Sequence, residues 1–129
     1  NVVDYGDFTF DSGLPAGIPE ELTEQAREVL ATNTAILALG GDHFITYPMI
    51  KACAEKYGPL SLIHFDAHSD TWNDDKGRIA HGTMFFHAAN AGIVVPQRSI
   101  RLGLRPHNPR LHRRTTFRKS PRWRAPPSH

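Results

Sequence analysis

Leu60-Ser61-Leu62-Ile63-His64-Phe65-Asp66-Ala67-His68-Ser69-Asp70 decides how this chain is read. A short apolar run ends abruptly in a polar cluster, the pattern of a buried strand whose carboxyl end opens onto a loop. The same pattern stands upstream, where Thr34-Ala35-Ile36-Leu37-Ala38-Leu39 is stopped by Gly40-Gly41-Asp42-His43. Ser99 to Leu104 is expected to form a third strand.

Helical patterns separate these runs. A helix is expected from about Pro19, which suits the first helical turn, with Glu20 and Glu21 favourable beside it. Leu22, Ala26, Val29 and Leu30 then recur on one face. A second helix is predicted from Thr46 or Tyr47 to Tyr57, ended by Gly58, and a third from Thr83 to Ala91, closed by Gly92. Residues 4 to 18, with three glycines and a proline, read as irregular loop. Strands alternating with helices of about ten residues point to βαβ units on a parallel sheet, an α/β fold.

The whole chain has 129 residues and a formal net charge of +2 that conceals an asymmetry. Thirteen acidic and three basic residues lie at or before Asp75; from Lys76 onward there are twelve basic residues and no acid. Arg105 to His129 holds eight Arg/Lys, five prolines and few aliphatics, a composition that buries too little apolar surface to order itself. The expected organisation is therefore an α/β domain over 1–104 and a basic, Pro/Arg-rich tail over 105–129. No apolar run is long enough to span a bilayer. The single cysteine, Cys53, fits a reducing compartment, and a cytoplasmic location is expected.

In open α/β sheets ligands collect at the carboxyl ends of the strands. Both polar clusters fall there. The glycine pair Gly40-Gly41 permits a tight turn that delivers His43 to the rim. An extended backbone would place Asp66, His68 and Asp70 on one side, converging on one point. Carboxylates brought together unpaired repel each other and resist desolvation, and a divalent cation relieves both costs. Oxygen and imidazole donors without thiolate favour Mn²⁺, with Zn²⁺ or Fe²⁺ as alternatives. Either motif alone is more often a solvated turn; together, at two strand tips, they favour a metal site. Two ions bridged by one carboxylate would acidify a shared water. His81, just ahead of the third helix, has the right ordinary pKa to pass protons to a leaving amine, although a lone His there is more often a surface residue. His64 reads as a packed core histidine and Cys53 as an inert buried thiol.

These residues resemble a known family. Gly40-Gly41-Asp42-His43-Phe44, His64-Phe65-Asp66-Ala67-His68-Ser69-Asp70-Thr71 and His81-Gly82-Thr83-Met84-Phe85 resemble the ureohydrolases, the arginases, agmatinases and their relatives. Asp4-Tyr5-Gly6-Asp7 and Ser99 to Arg105 fit as well, and Phe44 with the H-G-T-M-F run looks most like the agmatinase branch. The resemblance covers about residues 1 to 108. It implies a three-layer α/β/α fold and a binuclear Mn²⁺ centre that hydrolyses agmatine to putrescine and urea in a homo-oligomer. Carried over by motif, His43 and Asp70 would ligate one manganese, His68 the other, and Asp66 would bridge them, with His81 shuttling protons or orienting substrate. The family's later D-x-D ligands and substrate-binding Glu have no counterpart, because no acid follows Asp75. The expectation is a ureohydrolase piece without its C-terminal half, with little turnover of its own and with residues past about 108 out of frame. The alternatives are another guanidino-substrate hydrolase, guanidinobutyrase-like, or a non-catalytic chain binding nucleic acid through its basic tail, where Phe117 or Trp123 would stack on bases.

Overall fold

A computed structural model describes residues 2–73 and 80–105. Asp74, Asp75 and the basic tail from Pro106 lie outside the described residues, and with them the nucleic-acid reading and most of the expected 105–129 segment. Helix α1 spans Ile18–Ala31, one residue ahead of the expected start, with Gly17 as N-cap and Glu20 and Glu21 in its first turn. Its buried face carries Leu22, Thr23, Ala26 and Leu30. Helix α2 spans Thr46–Tyr57 and stops at Gly58, whose φ of +80° belongs to the left-handed region that glycine enters without steric cost.

The two helices pack on each other. Ala26 and Leu30 of α1 meet Ala52 of α2, and Phe8, Ile36, Met49 and Cys53 close the cluster. Two of the three buried members are alanines, so this cluster buries little side-chain volume. Outside it, Arg27 bridges Glu20, Glu24 and Glu55, and Lys51 pairs with Glu20. These exposed pairs add little to stability.

Strand β1 (Ile63–Phe65), helix α3 (Met84–Asn90) and strand β2 (Ile100–Leu102) form the expected βαβ unit. The strands pair in parallel with Ile63 opposite Ile100, His64 opposite Arg101 and Phe65 opposite Leu102. Hydrogen bonding runs past both ends of the pair: Leu60 bridges to Val94, the Asp66 amide donates to Leu102 O, and the Arg105 amide donates to Ala67 O. Alternation along each strand buries the central side chain, His64 or Arg101, and leaves its neighbours exposed.

Two expectations are corrected here. Residues 34–39 form no strand among the described residues, and Leu37 and Leu39 are 80% and 88% exposed. An apolar run becomes a buried strand only where a neighbour supplies backbone partners and a covering layer, and no described strand stands beside this one; Ile36 alone reaches the helical core. The run from Leu60 shrinks to a three-residue strand for the same reason, with Ile63 and Phe65 exposed. No helix among the described residues is long and apolar enough to cross a membrane.

Candidate metal centre

His43, His64, Asp66 and Asp70 each offer one donor atom to a group whose members all lie within 4.8 Å of one another. Three different pieces of backbone deliver them. His43 opens a single 3₁₀ turn (His43–Ile45), held by the Asp42 side chain, which accepts the Phe44 amide at 2.9 Å. His64 is the one inward-facing residue of β1. Asp66 follows the strand directly and is pinned by its own amide bond to Leu102 O at 3.0 Å. Asp70 lies in the loop beyond, with φ of +49°, a left-handed conformation that aspartate tolerates better than most residues. Its carbonyl accepts the Phe85 amide at 3.2 Å, which moors the loop to the start of α3.

The distances place two carboxylates among imidazoles. Asp70 Oδ2 lies 3.1 Å from His43 Nδ1 and 3.8 Å from His64 Nε2. Asp66 Oδ2 lies 3.7 Å from both His43 Nδ1 and His64 Nε2. The Phe85 ring backs the group, with its centroid 4.7 Å from the His64 ring and 5.9 Å from the His43 ring, both edge-on.

Burial and charge act on each group differently. Burial is the main cause holding His64 neutral, with Arg101 and His43 adding to it against the pull of Asp66, and its pKa is pushed down to about 4. Burial, then the neighbouring Asp66, raises the Asp70 carboxyl above its ordinary value despite His43 and Arg101. Burial pushes Asp66 the same way, but the His68 amide bond and the surrounding imidazoles outweigh it and leave this carboxyl lowered. One carboxylate is thus eased into its charged form and the other resists it, as expected of two anions held close together.

Unsatisfied atoms test whether a cation suits the place. Both ring nitrogens of His64 and Oδ2 of Asp70 are buried and make no hydrogen bond. A buried polar atom without a partner costs about 1–3 kcal/mol, so His64 Nε2 and Asp70 Oδ2, 3.8 Å apart and both unpartnered, are poor structure unless something else binds between them. Carboxylate oxygen and neutral imidazole nitrogen suit a divalent ion of the Mn²⁺ or Zn²⁺ type. The residues fit.

Placement differs from the expected pattern in two respects. His64, read as a packed core residue, belongs to the donor group; the signal was its two-residue spacing from Asp66 on a strand, which puts both on the site's side. His68 stands apart from the four. The backbone from 66 to 70 turns instead of running extended: Asp66 Oδ1 accepts the His68 amide at 2.7 Å, and the His68 side chain is 57% exposed, its Nδ1 3.3 Å from Asp66 Oδ1. His81 is exposed in the turn ahead of α3. That turn is tied to the carboxylate loop, since the Trp72 amide donates to Gly82 O at 2.9 Å. Arg101, not singled out from the sequence, is buried behind the donors; burial pushes its pKa down to about 10, against the opposing pull of Asp70 and Asp66.

Known proteins share both sequence and geometry with this chain. The agmatinase of Chromobacterium violaceum is 50% identical over 109 residues, 83% of this chain and 34% of that protein. The structure of a hypothetical agmatinase from Burkholderia thailandensis superposes with a TM-score of 0.78 at 50% identity, over 83% of this chain and 34% of that one. Proclavaminate amidino hydrolase from Streptomyces clavuligerus follows at 36% identity and a TM-score of 0.72, over 81% of this chain and 36% of that one. The chain thus spans about a third of the length of these relatives. The Arginase family description matches residues 1–121. With its α/β fold and its family motifs matched across nearly the whole sequence, the chain belongs to the arginase family.

Proposed function

We propose that the chain carries part of the metal site of an agmatinase-type ureohydrolase that hydrolyses agmatine to putrescine and urea with Mn²⁺. The observation that carries this reading is the convergence of His43, His64, Asp66 and Asp70 in a chain 50% identical to a protein named agmatinase. When bound, the divalent ions supply Lewis-acid activation of water for attack on a guanidinium carbon, which resonance otherwise makes a weak electrophile.

The chain's own residues prepare that chemistry. His43 and Asp70 would hold one ion, His68, exposed beside Asp66, would hold a second, and Asp66 would serve both. His64 stays neutral near pH 7 and so keeps a lone pair available. The paired carboxylates also favour a cationic guanidinium approaching the rim. His81, on a turn open to solvent, exchanges protons and supplies one to the departing amine. The chain spans about a third of the length of its agmatinase relatives, and low turnover by these 129 residues alone is part of the proposal. We place it in the cytoplasm, within a homo-oligomer.

Metal content tests the site. Mn²⁺ should stay with the wild-type chain through gel filtration and be lost in Asp66→Ala; equal retention by both would overturn the reading. Urea release at high protein concentration tests the substrate. Agmatine turned over faster than 4-guanidinobutyrate supports the proposal, and the reverse order favours a guanidinobutyrase-type enzyme.

A further inference from the structure

We infer that Arg101 is a positioning residue that anchors the metal-binding loop from the neighbouring strand. It sits at the centre of β2, directly opposite His64 across the parallel pair, and is 7% exposed. Its Nη1 donates to the carbonyl oxygen of Ser69, inside the Asp66–Asp70 loop. Its guanidinium carbon lies 5.3 Å from the centroid of the Phe85 ring, the ring that backs His43 and His64.

Consecutive carbonyls of one loop are therefore gripped from two directions. Ser69 O is held by Arg101 from β2, and Asp70 O is held by the Phe85 amide from α3. Between these two grips Asp70 takes its left-handed conformation, which a free loop populates only rarely for a non-glycine residue. A planar guanidinium can hold both partners at once, because one edge donates while the face lies against an aromatic ring. A charged donor to a backbone carbonyl is also stronger than a neutral one.

The consequence for metal binding rests on the ureohydrolase reading above, and its sign separates two roles. A cation beside Asp66 and Asp70 opposes a divalent ion by simple repulsion, so if Arg101 acted only through charge its removal would tighten binding. If it positions the loop, its removal weakens binding by about 10- to 100-fold, as loss of a supporting partner around metal ligands does.

The test uses Arg101→Met, Arg101→Gln and Arg101→Lys in the full chain. Without metal, amide exchange at Phe85 and Trp72 should quicken about tenfold or more in Arg101→Met, with exchange at Gly58, bonded to Ala54 O at the end of α2, unchanged. Unchanged exchange at Phe85 overturns the inference. If Arg101→Met unfolds the whole chain, read from Gly58, Arg101→Gln, whose amide ends two bonds short of the Nη1 position, decides in its place: faster exchange confined to Phe85 and Trp72 supports the anchor, and wild-type exchange overturns it. Mn²⁺ titration followed by electron paramagnetic resonance should show weaker binding in Arg101→Met than in Arg101→Lys; tighter or equal binding in Arg101→Met overturns the positioning role. Absence of Mn²⁺ binding by the wild-type chain would instead remove the metal reading, and the exchange data would still decide the anchor.

Discussion

His43 Nδ1 lies 3.1 Å from Asp70 Oδ2, although the two residues reach that contact from separate loops, one entering α2 and the other leaving β1. The contact misses hydrogen-bond alignment, since Asp70 Oδ2 has no hydrogen-bond partner. Two donors held close without bonding each other are arranged for a third body. His43→Ala should therefore weaken Mn²⁺ binding at least about tenfold, read by equilibrium dialysis, with little change in helical content because His43 is only half-buried and outside the helical core. Equal affinity in wild type and variant would remove His43 from the ligand set.

His64 makes the metal-free chain sensitive to mild acid. Its pKa falls to about 4 in the folded state, against an ordinary value of 6.5. Between those values the unfolded chain binds the proton and the folded chain does not, so stability is full above about pH 6.5 and declines as the pH falls toward 4. The loss is at most about 3 kcal/mol. Asp70, whose carboxyl is raised, offsets part of it by taking up a proton in the folded state first, whereas the lowered Asp66 adds to the loss at the acid end. Urea midpoints measured from pH 7.5 to 4.5 should fall in wild type and flatten in His64→Phe. An equal slope in both would show that His64 is not the group responsible.

The sequence held much of this site and less of the sheet around it. Helices α1 and α2 were legible because their apolar spacing and the stop at Gly58 are local properties, and the βαβ order followed from alternation. The 34–39 run misled because strand formation depends on a neighbour that local pattern does not contain. His43, Asp66 and Asp70 were singled out as polar residues following apolar runs, and the structure brings the three together although only the run before Asp66 forms a strand. His64 was set aside because a buried imidazole is usually satisfied, and only coordinates show that both its nitrogens lack partners. Arg101 was invisible for a related reason: within a basic stretch, nothing local distinguishes a guanidinium turned inward from one in solvent. His68 lies on the exposed side of Asp66, 3.3 Å from its Oδ1, because the 66–70 segment turns on an Asp66 side-chain bond instead of staying extended.

Gly103 lies close to the Asp66 backbone. Its φ is +90°, and a Cβ placed there would stand 3.4 Å from Asp66 O. Gly103→Ala should cost about 1–2 kcal/mol from backbone strain alone. Its effect on Mn²⁺ affinity should be larger than that of Gly92→Ala, where φ is +72° but a Cβ would enter open space. Similar metal affinity in the two variants would show that the Gly103 turn does not govern the Asp66 position.

Phe85 is the common wall of the site, and two substitutions separate what its bulk does from what its ring does. It is almost fully buried, and it touches the His43 ring, the His64 ring and the Arg101 guanidinium, while its amide holds Asp70 O. Phe85→Ala removes the bulk and should cost about 3–5 kcal/mol, a severe loss for a chain with so thin a core. Phe85→Leu keeps most of the volume and the amide, and should cost under about 1.5 kcal/mol in urea unfolding. What leucine cannot replace is the aromatic edge and face that orient two imidazoles and a guanidinium. Phe85→Leu should therefore bind Mn²⁺ several-fold more weakly than wild type while remaining folded, a split that filling space alone would not produce. Wild-type affinity in Phe85→Leu would reduce the ring to a space-filler and leave orientation of the imidazoles to their backbone anchors.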